Sequence, residues 1–104
     1  MDEACVRNLR AWAERNGSVR ELWHFGSRAK GTARLESDTD IALALMPPQG
    51  KHDWALGNYY DLRLQWKEQL EAIVGGKVDL QEIRPGTSFE VEVHATGKLL
   101  WPHA

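Results

Sequence analysis

Two aspartates lie side by side in a part of the chain where charge is costly. Asp38 and Asp40 stand two residues apart in SDTDIALAL, at the start of an apolar run. Residues i and i+2 of a β-strand share a face, so these two carboxylates would repel each other at close range. Burial of unpaired charge is unfavourable. We therefore expect a cation between them, and Mg²⁺ suits a few carboxylates completed by water and substrate phosphates.

A third aspartate follows in a second strand-like segment. Asp79 lies in KVDLQEI, where Val78 and Leu80 would point to one face and Asp79 and Gln81 to the other. If both strands belong to one sheet, Asp79 can complete a site for two metal ions. Two ions about 3.5 to 4 Å apart clamp the attacking and leaving oxygens of an in-line phosphoryl or nucleotidyl displacement.

A glycine–serine pair indicates an anion site that would complement these acids. Gly26 and Ser27 follow a run of strand-forming residues, and glycine lets backbone approach a phosphate closely. Free N–H groups at the start of a following helix can bind anionic oxygens. Arg28 and Lys30 are placed to neutralise a polyphosphate, with Arg34 as a weaker candidate. Each feature has an ordinary explanation, since Ser-Asp-Thr-Asp commonly forms a turn or cap and surface cations are frequent.

The hydrophobic pattern predicts the elements that position these residues. Apolar residues recur every three or four positions over 3–15 and 53–75 and alternate over the strand-like segments. In chain order the prediction is a helix over 3–15, a strand over 19–25, a short helix over 27–32, a strand over 38–46, a helix over 53–75 and a strand over 77–83.

The segment 87–97 is ambiguous. Its FEVEVHA core alternates like a strand, whereas Thr87-x-x-Glu90 resembles a capping box and Gly97 a residue that follows a helix. The balance favours a helix followed by a short strand over 99–101. The expected fold class is therefore α/β (α+β): one domain spanning 1–104, with a small mixed sheet of three or four strands and packed helices.

Composition narrows the function classes. The 104 residues carry 15 acidic and 13 basic side chains, a formal net charge of −2, which gives no bulk attraction to nucleic acid. No apolar run approaches the ~20 residues that span a bilayer. An acidic N-terminus without an apolar core and a single cysteine, Cys5, favour a cytoplasmic protein with no disulfide.

Aromatic and histidine residues suggest packing more than chemistry. Trp12, Trp23 and Trp66 fall on apolar faces and are expected in the core, and the four histidines lack zinc-ligand spacing. Base stacking by a residue near the start of the long helix is an alternative to packing; the candidates are Trp54, Tyr59 and Tyr60. The same helix carries a second apolar stripe of Leu56, Tyr60 and Leu64, which either packs within the domain or contacts a partner.

The motif Gly26-Ser27, ten residues, then Asp38-x-Asp40 resembles the minimal nucleotidyltransferase (MNT) domains of the DNA polymerase beta superfamily. The strand around Asp79 is similar to the strand that carries that family's third aspartate, and the segment 95–101 resembles its closing helix and strand. Two residues depart from the pattern: Lys30 stands where arginine is commoner, and Thr96 where an acidic residue usually precedes the glycine. The resemblance covers roughly residues 20–101.

This resemblance implies a polymerase beta-like fold and a set of site residues. Gly26 and Ser27 would hold a nucleoside triphosphate, with Arg28 and Lys30 beside it. Asp38, Asp40 and Asp79 would bind two Mg²⁺ ions in the nucleotide complex, with Asp79 close to the attacking hydroxyl. The implied reaction transfers a nucleoside monophosphate, AMP from ATP in the simplest case, to a hydroxyl acceptor.

The resemblance also implies a partner. Stand-alone MNT domains commonly pair with a helical HEPN-type protein as the antitoxin of a toxin–antitoxin couple, in which the transferase can AMPylate its partner. A second hypothesis is a non-catalytic nucleotide-binding module that neutralises its partner by contact. The substitution Asp40→Asn would distinguish the two hypotheses, because it should abolish catalysis but not partner binding. A third is a small-molecule modifier, for which 104 residues supply little acceptor-binding surface.

Overall fold

A computed structural model describes residues 3–26, 38–45 and 56–102 of the chain, with side chains from residue 62 onward in the last range. The predicted short helix over 27–32 lies outside these ranges. The elements, in chain order, are α1 (Glu3–Arg15), β1 (Val19–Phe25), β2 (Thr39–Leu45), α2 (Leu56–Val74), β3 (Val78–Ile83), α3 (Ser88–Thr96) and β4 (Lys98–Trp101).

The four strands form one mixed sheet in the order β3-β2-β1-β4. β1 is antiparallel to both β2 and β4, and β2 is parallel to β3. The parallel connection needs a crossover, which α2 supplies. The α/β fold class and the mixed sheet predicted from the sequence are therefore confirmed.

One side of the sheet, the helix-covered face, packs against α1 and α2. Alternation along β2 sends Ile41 and Leu43 to this face, as the pattern predicted, and both are fully buried. The main core contains Leu9, Trp12, Ala13, Val19, Leu22, Ile41, Leu43, Trp66, Leu70, Val78 and Leu100. At ~25 cal/mol per Å² of apolar surface buried, side chains of this size make this core the main source of stability.

Two tryptophans join the helices over this core. Trp12 of α1 meets Trp66 of α2 edge-on, with ring centroids 6.1 Å apart, and its Nε1 donates to Oε1 of Gln69 at 2.8 Å. The indole is thus buried with its polar atom bonded, which confirms the core assignment of both rings. Leu64, from the second stripe of α2, is 66% exposed. Packing within the domain therefore does not cover the stripe at this position.

The opposite side of the sheet is the carboxylate face, named for Asp40 and Asp79. Small residues of β2, Ala42 and Ala44, lie buried here against Ile83 of β3 and Val93 of α3. Trp23, Phe25 and Phe89 pack around this second cluster. Trp23 is only partly buried and stacks on the ring of His94, with centroids 4.9 Å apart, so its predicted place in the core holds in part.

Helix α3 resolves the ambiguous segment as a helix. The Thr87 hydroxyl oxygen accepts a hydrogen bond from the Glu90 backbone N–H at 3.3 Å, while the Glu90 carboxylate accepts one from Gly86 N–H at 3.1 Å. These side chains satisfy donors that a helix start leaves unpaired, which is why the cap decides against a strand. No described helix is long and apolar enough to cross a membrane.

Candidate active site

The end of one strand and the starts of two others meet at one end of the sheet. Because β1 runs antiparallel and β3 parallel to β2, the end of β1 lies beside the starts of β2 and β3. Phe25 is in register with Asp40, and Asp40 is in register with Asp79. Residues in register share a face, so Phe25, Asp40 and Asp79 form a row across the carboxylate face.

The residue after β1 is shaped to fit this row. Gly26 has a positive φ of 77°, and a Cβ at this position would stand 2.8 Å from Cγ of Asp40 and would overlap its Oδ2. Glycine therefore meets two needs at once: a left-handed backbone and direct contact with the Asp40 carboxylate. The sequence suggested glycine for approach to a phosphate, and the structure adds that it makes room for the acid.

Asp79 is exposed at the open end of the row. Its Oδ1 accepts a hydrogen bond from Nε2 of Gln81 at 3.0 Å, since residues two apart on β3 share a face. Asp38 is also exposed and lies one residue before β2. The register thus aligns Asp40 with Asp79, whereas Asp38 precedes the paired part of β2.

The oxygen ligands that this row offers fit a hard divalent cation. Carboxylate oxygens are the ligands that Mg²⁺ prefers, and Asp40 and Asp79 offer them from adjacent strands. Within the described ranges, no three side chains of His, Cys, Asp or Glu come close enough together to hold one ion. The structure places Asp40 and Asp79 in register on adjacent strands but does not gather Asp38, Asp40 and Asp79 into one group of three ligands, and metal binding by them stays a prediction.

The rest of the predicted site falls where the structure is not described. Ser27, Arg28 and Lys30 lie outside the described residues, as do Arg34 and Trp54. The side chains of two further base-stacking candidates, Tyr59 and Tyr60, are likewise not described. Their roles remain predictions.

A polar groove of about 380 Å³ opens beside Asp79. It runs along β3 and is walled on one side by Arg63 and Lys67 of α2. Its lining consists of Arg63, Lys67, Val78, Asp79, Leu80, Gln81, Glu82 and Arg84. This groove was not predicted from the sequence, where its signal is the i, i+4 spacing of Arg63 and Lys67 on the long helix, which places two cations on one side.

The polymerase beta nucleotidyltransferase family model, described as "Polymerase beta, Nucleotidyltransferase", matches residues 7–103, nearly the whole chain. The chain belongs to this family. It is a nucleotidyltransferase domain, and the roles of Gly26, Asp40 and Asp79 in it stay predictions. A comparison with curated protein sequences gives no match.

Solved structures share the fold of this nucleotidyltransferase. A toxin–antitoxin complex with AMP-PNP is 23% identical over 99% of this chain and 75% of that chain, with a TM-score of 0.66. A MntA–HepT complex with two aspartates changed to glutamate is 21% identical over 94% and 73%, with a TM-score of 0.67. The MNT antitoxin bound to a tri-AMPylated Shewanella oneidensis HEPN toxin is 19% identical over 99% and 74%, with a TM-score of 0.64.

Proposed function

We propose that this nucleotidyltransferase transfers a nucleoside monophosphate, AMP from ATP in the simplest case, to a hydroxyl of a partner protein. The observation that carries the proposal is the row of Asp40 and Asp79 across two parallel strands, with Gly26 in contact with Asp40. We further propose that the partner is a helical HEPN-type toxin and that this chain is its antitoxin. The similar fold of MNT antitoxins, one of them in complex with an AMPylated HEPN toxin, supports this partnership.

In the proposed reaction the acceptor hydroxyl oxygen forms a bond to the α-phosphorus of the nucleotide. The bond between that phosphorus and the bridging oxygen breaks, and pyrophosphate leaves with the electron pair. In this proposal Asp79, which is exposed at the end of the row, takes the hydroxyl proton. Asp38, Asp40 and Asp79 would hold Mg²⁺, which when bound neutralises charge on the triphosphate and on the attacking and leaving oxygens.

Chain residues supply the remaining functions in this proposal. The backbone after Gly26, with Ser27, Arg28 and Lys30, binds the triphosphate. Transition-state charge is spread over phosphate oxygens, so positioning and electrostatic stabilisation are sufficient and no covalent nucleophile is needed.

The test replaces one carboxylate without changing its size. We expect Asp40→Asn to lower transfer from ATP labelled at the α-phosphate by roughly 100- to 1000-fold, since one charge aimed at the reacting centre is lost. Labelling of a protein in host lysate, with Mg²⁺, is the measurement. Glu92→Gln removes the same charge from the exposed side of α3 and is the matched control.

The non-catalytic alternative predicts a different pattern. A partner-neutralising module would bind and inhibit its toxin equally well as wild type and as Asp40→Asn, with no labelled protein from either. Undiminished labelling by Asp40→Asn would show instead that the row does not carry the chemistry.

A further inference from the structure

The groove beside Asp79 has no role in the reaction described so far. Two of its features bear on what it binds: the outer edge of β3, which forms its floor, and the cations of α2, which form one wall. Among the described strands, β3 ends the sheet, with β2 on its inner side.

Backbone polarity along β3 follows from its register with β2. The Thr39 N–H donates to the Lys77 carbonyl at 2.9 Å, and Thr39 is in register with Val78. In an evenly spaced parallel ladder, this pairing turns the N–H and C=O groups of alternate β3 residues toward β2. The same groups of Leu80 and Glu82 therefore point outward, into the groove.

These outward groups suit an extended polypeptide. A peptide that adds a strand to a sheet edge gains affinity from main-chain hydrogen bonds and specificity from its side chains. Nucleic acid has no backbone N–H and C=O groups that could pair with the edge of a strand.

The charges of the groove select the peptide. Arg63 and Lys67 lie four residues apart on α2, are both exposed and line the same wall. Arg84 is paired with Glu82, with Nε and Oε1 3.1 Å apart, so these two largely offset each other. By formal charge, the remaining charged lining residues, Arg63, Lys67 and Asp79, leave the groove with a net charge of +1.

We propose that this groove binds the acceptor segment of the partner as an added, extended strand, and that Arg63 and Lys67 select acidic residues beside the acceptor hydroxyl. The groove includes Asp79, so a peptide lying along β3 brings its hydroxyl to the candidate catalytic row. The inference rests on the proposed function for the identity of the ligand as acceptor, but peptide binding itself does not require catalysis.

Binding is measured first, without nucleotide, on the full chain carrying Asp40→Asn. The probes are two fluorescent peptides that alternate threonine with glutamate, or with glutamine, around a single tyrosine. We expect the acidic peptide to bind about tenfold more tightly than the neutral one at low salt, since each exposed charge pair contributes up to about fivefold. Equal affinities, or tighter binding of an oligothymidylate of equal charge, would overturn the proposal.

Two pairs of variants locate the binding. Lys67→Glu should remove the preference for the acidic peptide, whereas Lys98→Glu, the same change on exposed β4 at the opposite edge of the sheet, should leave it intact. Glu82→Pro deletes an outward N–H and should weaken the binding of both peptides about tenfold, whereas Glu82→Gln keeps that N–H and should not. The proline variant should still fold, because an edge strand tolerates proline where its N–H faces outward. Circular dichroism checks that each variant is folded. Equal effects of the two lysine variants, or no difference between a folded Glu82→Pro and Glu82→Gln, contradict the assignment.

The wild-type chain then links the groove to catalysis. With labelled ATP and Mg²⁺, its kcat/KM for the acidic peptide should exceed that for the neutral peptide about tenfold, mainly through KM. If the peptides bind as expected but neither is labelled, the groove assignment stands as a peptide site and the proposed transfer to a hydroxyl fails. If both are labelled equally, charge selection by Arg63 and Lys67 is wrong.

Discussion

The two faces of the sheet use the same strands for different purposes. Along β2, Ile41 and Leu43 point into a large core beneath α1 and α2, whereas Ala42 and Ala44 face the smaller cluster under α3. The face with the large side chains carries the burial that stabilises the fold. The face with the small ones continues into the row of Asp40 and Asp79.

This difference shows how one strand supports both a core and a site. Because side chains alternate between the two faces, a substitution on one face has little direct effect on the side chains of the other face. Asp40 and Asp79 lie at the end of the carboxylate face where β2 and β3 begin. Stability and activity should therefore respond to different substitutions.

The largest expected effect is on activity, at the end of β1. Gly26→Ala should lower nucleotidyl transfer at least about 100-fold, because its Cβ would displace the Asp40 carboxylate. Gly86→Ala is a matched control: its φ of 82° is just as unfavourable for alanine, but a Cβ there meets nothing within 4 Å. Both should cost about 1 to 2 kcal/mol of unfolding free energy. Similar activities of the two variants would show that contact with Asp40 is unimportant.

The two cores should differ in stability. Leu70→Ala, under the helix-covered face, should lower the unfolding free energy by about 3 kcal/mol, whereas Val93→Ala, under α3, should lower it by about 2 kcal/mol. Both side chains are fully buried, so the comparison reflects the size of the group removed and how each cluster adjusts. Urea unfolding measures both. A larger loss for Val93→Ala would reverse our ranking of the two faces.

The smallest expected effect concerns the ends of α3. Thr87→Ala should cost about 1 kcal/mol, because its hydroxyl caps the helix by accepting from Glu90 N–H and donates to the Arg84 carbonyl at 2.7 Å. Thr96→Ala deletes a hydroxyl that donates only within the helix, to the Glu92 carbonyl, and should change stability by less than about 0.5 kcal/mol. Thermal unfolding distinguishes them, and equal losses would count against the cap.

Much of the fold could be predicted from local sequence signals. α1 and β1 have the predicted bounds, because their periodicity is clear and Asn16-Gly17 and Gly26 mark their ends. For α3 the sequence carries two competing signals, the Thr87 cap for a helix and an alternating pattern for a strand. The structure confirms the helix that the cap predicts.

Other features depend on contacts between distant residues. Gly97 was expected to follow a helix, as it does, but its φ is −83°; glycine is needed there because a Cβ would stand 2.7 Å from the Val93 carbonyl oxygen. The contact of Gly26 with Asp40 and the groove between α2 and β3 likewise arise only when separate elements pack. No local pattern predicts them.

One hydrogen bond joins the start of the chain to its end. Nε of Arg10 in α1 donates to the Leu100 carbonyl in β4 at 2.9 Å, across 90 residues of sequence. At ribosomal rates of about 5 to 20 residues per second, β4 follows α1 by roughly 5 to 20 s. Until then the edge of β1 that β4 covers is open, so a nascent chain presents an unpaired strand beside its future core. During that interval the open edge of β1 is where the nascent chain is most exposed to pairing with a strand of another molecule.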